Sequence, residues 1–254
     1  PMVHWPDSMV TYVPEEKILF SNDAFGQHLA SAERYDDELG WSFIKKDAAK
    51  YYANIVLPFG KQVQKAMSAL SDLAIELIAP SHGVMWRSHI PDILEQYQKW
   101  SSYESDKKAL IVYDSMWQST EKVAVALEEG LSEAGVLTTL RNLKVNHISD
   151  IMLDVLESKM ILLGSPTLNN GLLPTMGQFL TYLNGLKPQN KIGFAFGSYG
   201  WGGQAVAELE KNIEGLKWQQ PVKGLNVEYV PDPEDTSGAI ATGRQLAEIL
   251  LASE

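Results

Sequence analysis

Three short segments carry the residue types best suited to holding a ligand. Asp114-Ser-Met-Trp-Gln-Ser-Thr120 presents the hydroxyls of Ser115, Ser119 and Thr120 just ahead of a helical pattern. Hydroxyls converging on the unpaired N–H groups of a helix N-terminus suit a phosphate dianion without any basic side chain. A plain helix cap at Ser119 or Thr120, with Glu121 in the first turn, is the alternative. Gly164-Ser-Pro-Thr-Leu-Asn-Asn-Gly171 restricts its backbone at Pro166 and sets Thr167, Asn169 and Asn170 where they could meet a ring edge. An ordinary Asn-Gly turn would have the same residues. Gly197-Ser-Tyr-Gly-Trp-Gly-Gly203 interleaves glycines with Tyr199 and Trp201. Glycine permits close backbone approach, and the two aromatics can lie against a flat ring. A second set is scattered through the first half: His4, Asp23 and His82. Imidazole and carboxylate together suit iron, manganese or zinc, and a carboxylate can bridge two ions. No pair among them has helical i,i+3 or i,i+4 spacing, so surface histidines and an Asx turn explain them as well.

The elements around the first three segments explain why they would meet. Ala109–Tyr113, Met160–Leu163, Ile192–Phe196 and Val227–Val230 are short apolar runs, with a more polar candidate strand at Leu137–Leu143. Near-continuous apolar runs suit strands buried on both faces of a parallel sheet. Helical patterns alternate with them: Val123, Leu127 and Leu131 share one face, as do Phe179, Tyr182, Leu183 and Leu186, then Val206, Leu209 and Ile213, and finally Ile240–Leu251. This alternation predicts a right-handed, doubly wound α/β sheet of five strands. Such sheets bind ligands past the carboxyl ends of their strands. All three loops fall at such ends and make one coherent pocket, of the kind that the phosphate, ribityl chain and ring of a flavin mononucleotide (FMN) would need.

The first half has a different texture. Val10–Tyr12 and Ile18–Phe20 read as strands around a turn, and Gln27–Ser42 as a long polar loop. Ala48–Ile55 and Val63–Leu77 read as helices separated by Pro58 and Gly60, and Pro91–Trp100 as a helix with proline at its start. Ser101–Asp106 is a polar linker, so the expected domains are 1–104 and 105–254.

The chain of 254 residues has no cysteine, which excludes disulfides, thiolate metal sites and iron–sulfur centres within it. A net charge of −11 argues against nucleic acid as a partner. No apolar run approaches the roughly 20 residues of a membrane span, and a cytoplasmic location is expected.

The wording of the loops resembles the flavodoxin-like domain of the flavodiiron proteins, the A-type flavoproteins. Ser-Met-Trp-Gln-Ser-Thr lacks the glycine that short-chain flavodoxins usually carry in this loop. The resemblance implies that Ser115, Met116, Trp117, Gln118, Ser119 and Thr120 hold the phosphate. It implies that Pro166, Thr167, Leu168, Asn169, Asn170 and Gly171, with Ser198, Tyr199, Gly200, Trp201, Gly202 and Gly203, enclose the ring. The first half is similar to the C-terminal portion of the family's metallo-β-lactamase-like αββα domain. By that match His4 and His82 each ligate one iron, Asp23 bridges both, and His28 and His89 are not ligands.

The resemblance further implies an oxidoreductase that reduces dioxygen to water or nitric oxide to nitrous oxide at a non-haem diiron site. Electrons would come from a rubredoxin-type donor through FMN, in a head-to-tail homodimer. The remaining ligands belong to a His-x-Glu-x-Asp-His motif that this chain lacks. It is therefore expected to be part of a longer protein, or to work with a companion polypeptide. An FMN-only electron carrier without metal, and an interaction domain whose loops are mere turns, are the readings from other classes.

Overall fold

The computed structural model describes residues 3–253. The chain divides into two compact units between Glu104 and Ser105.

In the first unit, β1 (Thr11–Val13) pairs antiparallel with β2 (Ile18–Asn22), and β3 (Leu77–Pro80) pairs parallel with β2. The helices are α1 (Asp36–Leu39), α2 (Trp41–Tyr51), α3 (Gly60–Leu70) and α4 (Ile90–Ser101). The expected loop Gln27–Ser42 thus contains α1 and the start of α2. The cause is tertiary: buried Asp36 accepts hydrogen bonds from the backbone N–H groups of Arg87 and His89 at 2.9 and 2.6 Å. Local sequence does not reveal a partner fifty residues away. Pro58 does separate two helices, but the chain passes between them through a π-helical turn (Tyr52–Val56) and a 3₁₀ turn (Leu57–Phe59). The third helix ends at Leu70, not Leu77, and β3 takes up the apolar residues beyond. Trp86 and Tyr97 fill the core, each tied to Phe25: the indole donates to its carbonyl at 2.8 Å, and the phenol accepts its N–H at 2.7 Å.

The second unit is the doubly wound sheet. Its elements are β4 (Asp106–Tyr113), α5 (Ser119–Glu133), β5 (Thr138–Asn142), α6 (Ile148–Glu157) and β6 (Ser158–Gly164). They continue as α7 (Pro174–Leu186), β7 (Ile192–Tyr199), α8 (Gln204–Gly215), β8 (Leu225–Glu228) and α9 (Pro233–Ala252). The strand order is β5-β4-β6-β7-β8, and every pair is parallel. Alternate residues Ala109, Ile111, Met160 and Leu162 join Val123 and Leu127 of α5 and Leu246 and Leu250 of α9 in one core. Gly193, of the opposite parity, faces Ile213 of α8, so helices cover both faces. Each fully buried Leu or Ile contributes ~1.5–3 kcal/mol, which is why the strands read as unbroken apolar runs.

Two boundaries differ from expectation. The last strand stops at Glu228 because Tyr229 turns to φ 59°. Helix α9 begins seven residues before the apolar pattern at Ile240, because Asp232 and Asp235 form a capping box around Pro233. Among the described residues no helix is long and apolar enough to cross a membrane.

The chain leaves β4 for β5 on one side, then returns to β6 on the other. The loops after β4 and β6 therefore diverge, and open a crevice at the carboxyl edge.

Candidate functional site

At that crevice Ser115 follows buried Asp114. The carboxylate of Asp114 accepts the Ser115 N–H at 2.6 Å and the hydroxyl of Thr175 in α7. The Ser115 hydroxyl is itself buried and has no hydrogen-bond partner. The residue ahead of α5 is Gln118, in the left-handed region at φ 69°, and no side chain caps the helix. Ser119 and Thr120 are thus inside the first turn, and its leading N–H groups remain available to a ligand. Thr120 is buried, with its hydroxyl 2.8 Å from that of Ser198. This contact ties the first loop to the third.

The second and third loops are held equally closely. The Thr167 N–H donates to the Ser198 carbonyl at 2.8 Å, and the Ala205 N–H donates to the Thr167 hydroxyl at 3.2 Å. A Cβ on Gly197 would lie 2.3 Å from the backbone oxygen of Ser165, so only glycine permits this approach. Leu168 and Gly171 exchange backbone hydrogen bonds at 3.0 and 2.9 Å, with Asn169 and Asn170 both at positive φ. The two Asn residues form a tight hairpin tip, a conformation their side chains tolerate.

The result is a cleft of about 380 Å³. Ser115, Met116, Trp117 and Ser119 form one wall, Pro166 and Thr167 another, and Ser198, Tyr199, Gly200 and Trp201 a third. Gln118, Thr120, Leu168, Asn169, Asn170, Gly171, Gly202 and Gly203 belong to the same three loops but are not among the residues lining it. Tyr229 and Val230, which the sequence places in a strand, line the cleft instead. The left-handed turn at Tyr229, whose N–H donates to the Tyr199 carbonyl at 2.7 Å, brings them there. Trp117 and Trp201 are 87% and 103% exposed. Large apolar groups clustered at a concavity mark a binding site. The orphaned Ser115 hydroxyl, the uncapped helix and the exposed rings fit FMN: phosphate at one end, an aromatic ring at the other.

In the first unit, β2 and β3 run parallel, so their carboxyl ends lie side by side. Asp23 follows β2 and His82 follows β3, with the Ser81 N–H donating to the Asn22 carbonyl at 2.8 Å. His82 Nε2 is 3.3 Å from Asp23 Oδ1, and His4 Nε2 is 3.5 Å from Asp23 Oδ2. One buried carboxylate thus points each oxygen at a different imidazole. The donors fit iron in kind, since imidazole and carboxylate suit it. They do not fit in number. Each ion would have one imidazole and one carboxylate oxygen, and among the described residues no group of three or more His, Cys, Asp or Glu is arranged to hold a metal.

His28 stands 5.9 Å from the His82 ring and 4.7 Å from that of Tyr51. Burial lowers the His28 pKa, and nearby His82 lowers it further. Burial, then the Asp23 charge, raises that of Tyr51. His89 is elsewhere, paired with Asp92 at 2.9 Å.

The flavodoxin family model matches residues 111–243, and the model of the ODP family beta lactamase matches residues 1–83. A nitric oxide reductase of Moorella thermoacetica is 45% identical over 97% of this chain and 63% of its own length. The solved rubredoxin oxygen:oxidoreductase from Desulfovibrio gigas superposes with a TM-score of 0.96 at 37% identity, over 100% of this chain and 65% of that one. The chain belongs to the flavodiiron protein family. A flavodiiron protein from Giardia intestinalis matches as closely, with a TM-score of 0.96 at 35% identity over 99% of this chain and 63% of that one. This flavodiiron chain therefore spans less than two thirds of the length of these relatives.

Proposed function

We propose that this chain is the electron-handling part of a flavodiiron oxidoreductase. The second unit binds FMN in the cleft at the β4–β6 switch point. The observation that carries this reading is the Ser115 hydroxyl, buried and unpartnered beside the uncapped start of α5. A phosphate would accept from it and from the helix N–H groups. Tyr199, Trp201 and Trp117 would cover the ring and keep water from it, while the backbone around Gly200 approaches its edge. Bound FMN supplies one- and two-electron transfer, and the protein tunes it through the groups at the ring.

His4, Asp23 and His82 are proposed as this chain's share of a non-haem diiron site, with Asp23 as the bridge. The rest of the site belongs to the longer family protein or to a companion polypeptide. That whole assembly would reduce dioxygen to water or nitric oxide to nitrous oxide in the cytoplasm. It would take electrons from a rubredoxin-type donor and work as a head-to-tail homodimer. An electron carrier without metal is the second reading, favoured by the shortage of ligands among the described residues.

Titration of the flavin-free chain with FMN, followed by absorbance near ~450 nm and by metal analysis, tests both. Stoichiometric FMN supports the cleft, and failure to retain any flavin refutes it. With the polypeptide that supplies the remaining ligands added, iron bound with Asp23 present and lost in Asp23→Ala supports the metal ligands. Iron content that ignores Asp23 removes it from the site.

A further inference from the structure

The loop that follows β4 is held by a residue outside all three cleft segments. Lys144 stands in the turn after β5, where its N–H donates to Asn142 Oδ1 at 2.9 Å. Because β5 pairs with β4, this turn lands beside Asp114 and Ser115. Lys144 Nζ is 3.3 Å from Asp114 Oδ1, and also donates to the backbone carbonyl of Ser115. Asp114 is 2% exposed at its side chain, and among the described residues Lys144 is the only cation paired with it.

A buried carboxylate one residue ahead of a phosphate-binding loop is an electrostatic liability. It would stand close to a phosphate dianion in a partly dry site, where like charges repel more strongly than in water. It is nevertheless needed there, since it fixes the Ser115 N–H and reaches Thr175. Lys144 offsets the charge and at the same time occupies the Ser115 carbonyl with a hydrogen bond. Its own side chain is 50% exposed, so the fold does not depend on burying it.

We propose that Lys144 is a positioning residue for the flavin phosphate: it neutralises Asp114 and pins the Ser115 carbonyl, so that the loop presents only donors to the dianion. The proposal rests on the assignment of FMN to the cleft, and adds a residue from outside it.

The test compares two ligands that differ only in the phosphate. The flavin-free full chain is titrated with FMN and with riboflavin, reading the quenching of flavin fluorescence. Lys144→Met should raise the Kd for FMN about tenfold, the loss of one charge-assisted contact, and leave that for riboflavin within about twofold. Lys144→Arg, which keeps the charge, should stay within about threefold of the unsubstituted chain for both. An unchanged FMN affinity in Lys144→Met, or equal weakening for both flavins, overturns the proposal. If the unsubstituted chain binds no FMN, the assignment of the cleft itself fails, and the role of Lys144 with it.

Discussion

Ser115 places a hydroxyl in the interior with nothing to bond to. An unsatisfied buried polar group costs ~1–3 kcal/mol, so the flavin-free chain has this strain built into the loop. Ser115→Ala removes it and should leave thermal stability unchanged or raise it slightly. The same change deletes a donor to the phosphate, and FMN affinity should fall about tenfold, since hydrogen bonds to charged groups contribute ~1.5–3 kcal/mol. A melt and a flavin titration on one sample check both signs, and a fall in stability alone would mark the hydroxyl as structural. Trp201 is the opposite case. Its side chain is fully exposed, so Trp201→Ala should leave the melting temperature alone. It should weaken FMN or shift its reduction potential, because a ring contact is lost only when the flavin is there to make one. Unchanged affinity and potential would remove Trp201 from the ring site.

At the scale of elements, Lys191 at the start of β7 shows what strand packing demands. It is buried and donates to Ser105 Oγ at 2.6 Å, the Ser158 carbonyl at 2.7 Å and the Leu156 carbonyl at 3.2 Å. It thereby joins the beginnings of β4, β6 and β7 at the edge opposite the cleft. Burial, and then Lys159, push its pKa down to about 7 against the pull of Asp106. Between that value and the unfolded 10.5 the folded chain has released a proton that the unfolded chain still holds. Stability therefore rises with pH across this window, by at most about 1.4 kcal/mol per unit. Lys191→Met should destabilise the chain by about 3 kcal/mol near neutral pH, since buried acceptors lose their donor. It should also flatten the rise from pH 7 to 9, which denaturant midpoints at several pH values would show. Identical slopes would mean that Lys191 keeps its proton throughout. Lys191 carries no sign of this role in the sequence, where it merely precedes an apolar run. The strands β4, β6 and β7 were legible because burial on both faces makes them continuously apolar. Helix α1 was not, because buried Asp36 holds it from afar, and the first turns of α9 were hidden in a polar capping box. The same division runs through the cleft. Its hydroxyl and aromatic-glycine loops stand out locally, whereas Tyr229 and Lys144 reach it only through a left-handed turn and a strand register.

For the molecule as a whole, the two units differ in how complete their sites are. The cleft proposed for FMN draws all its walls from residues 115–230 of this chain, so it should take up about one FMN per chain without help. The proposed metal ligands are another matter. Asp23 faces two imidazoles, one from each oxygen, which leaves either ion with two protein ligands here. Affinity grows with each deprotonated donor a fold pre-arranges, and two are too few to hold iron against dilution. The flavin-loaded chain, exposed to ferrous iron without oxygen and then desalted, should keep less than one iron per FMN. Adding the polypeptide that supplies the family's upstream ligands should raise this toward two, and Asp23→Ala should cancel the gain while leaving FMN in place. Metal analysis alongside flavin absorbance reads both quantities from one sample. Two irons retained by this chain alone would mean that it supplies ligands beyond His4, Asp23 and His82. Iron that does not rise with the added polypeptide would favour the carrier reading, in which the cleft works without a metal site.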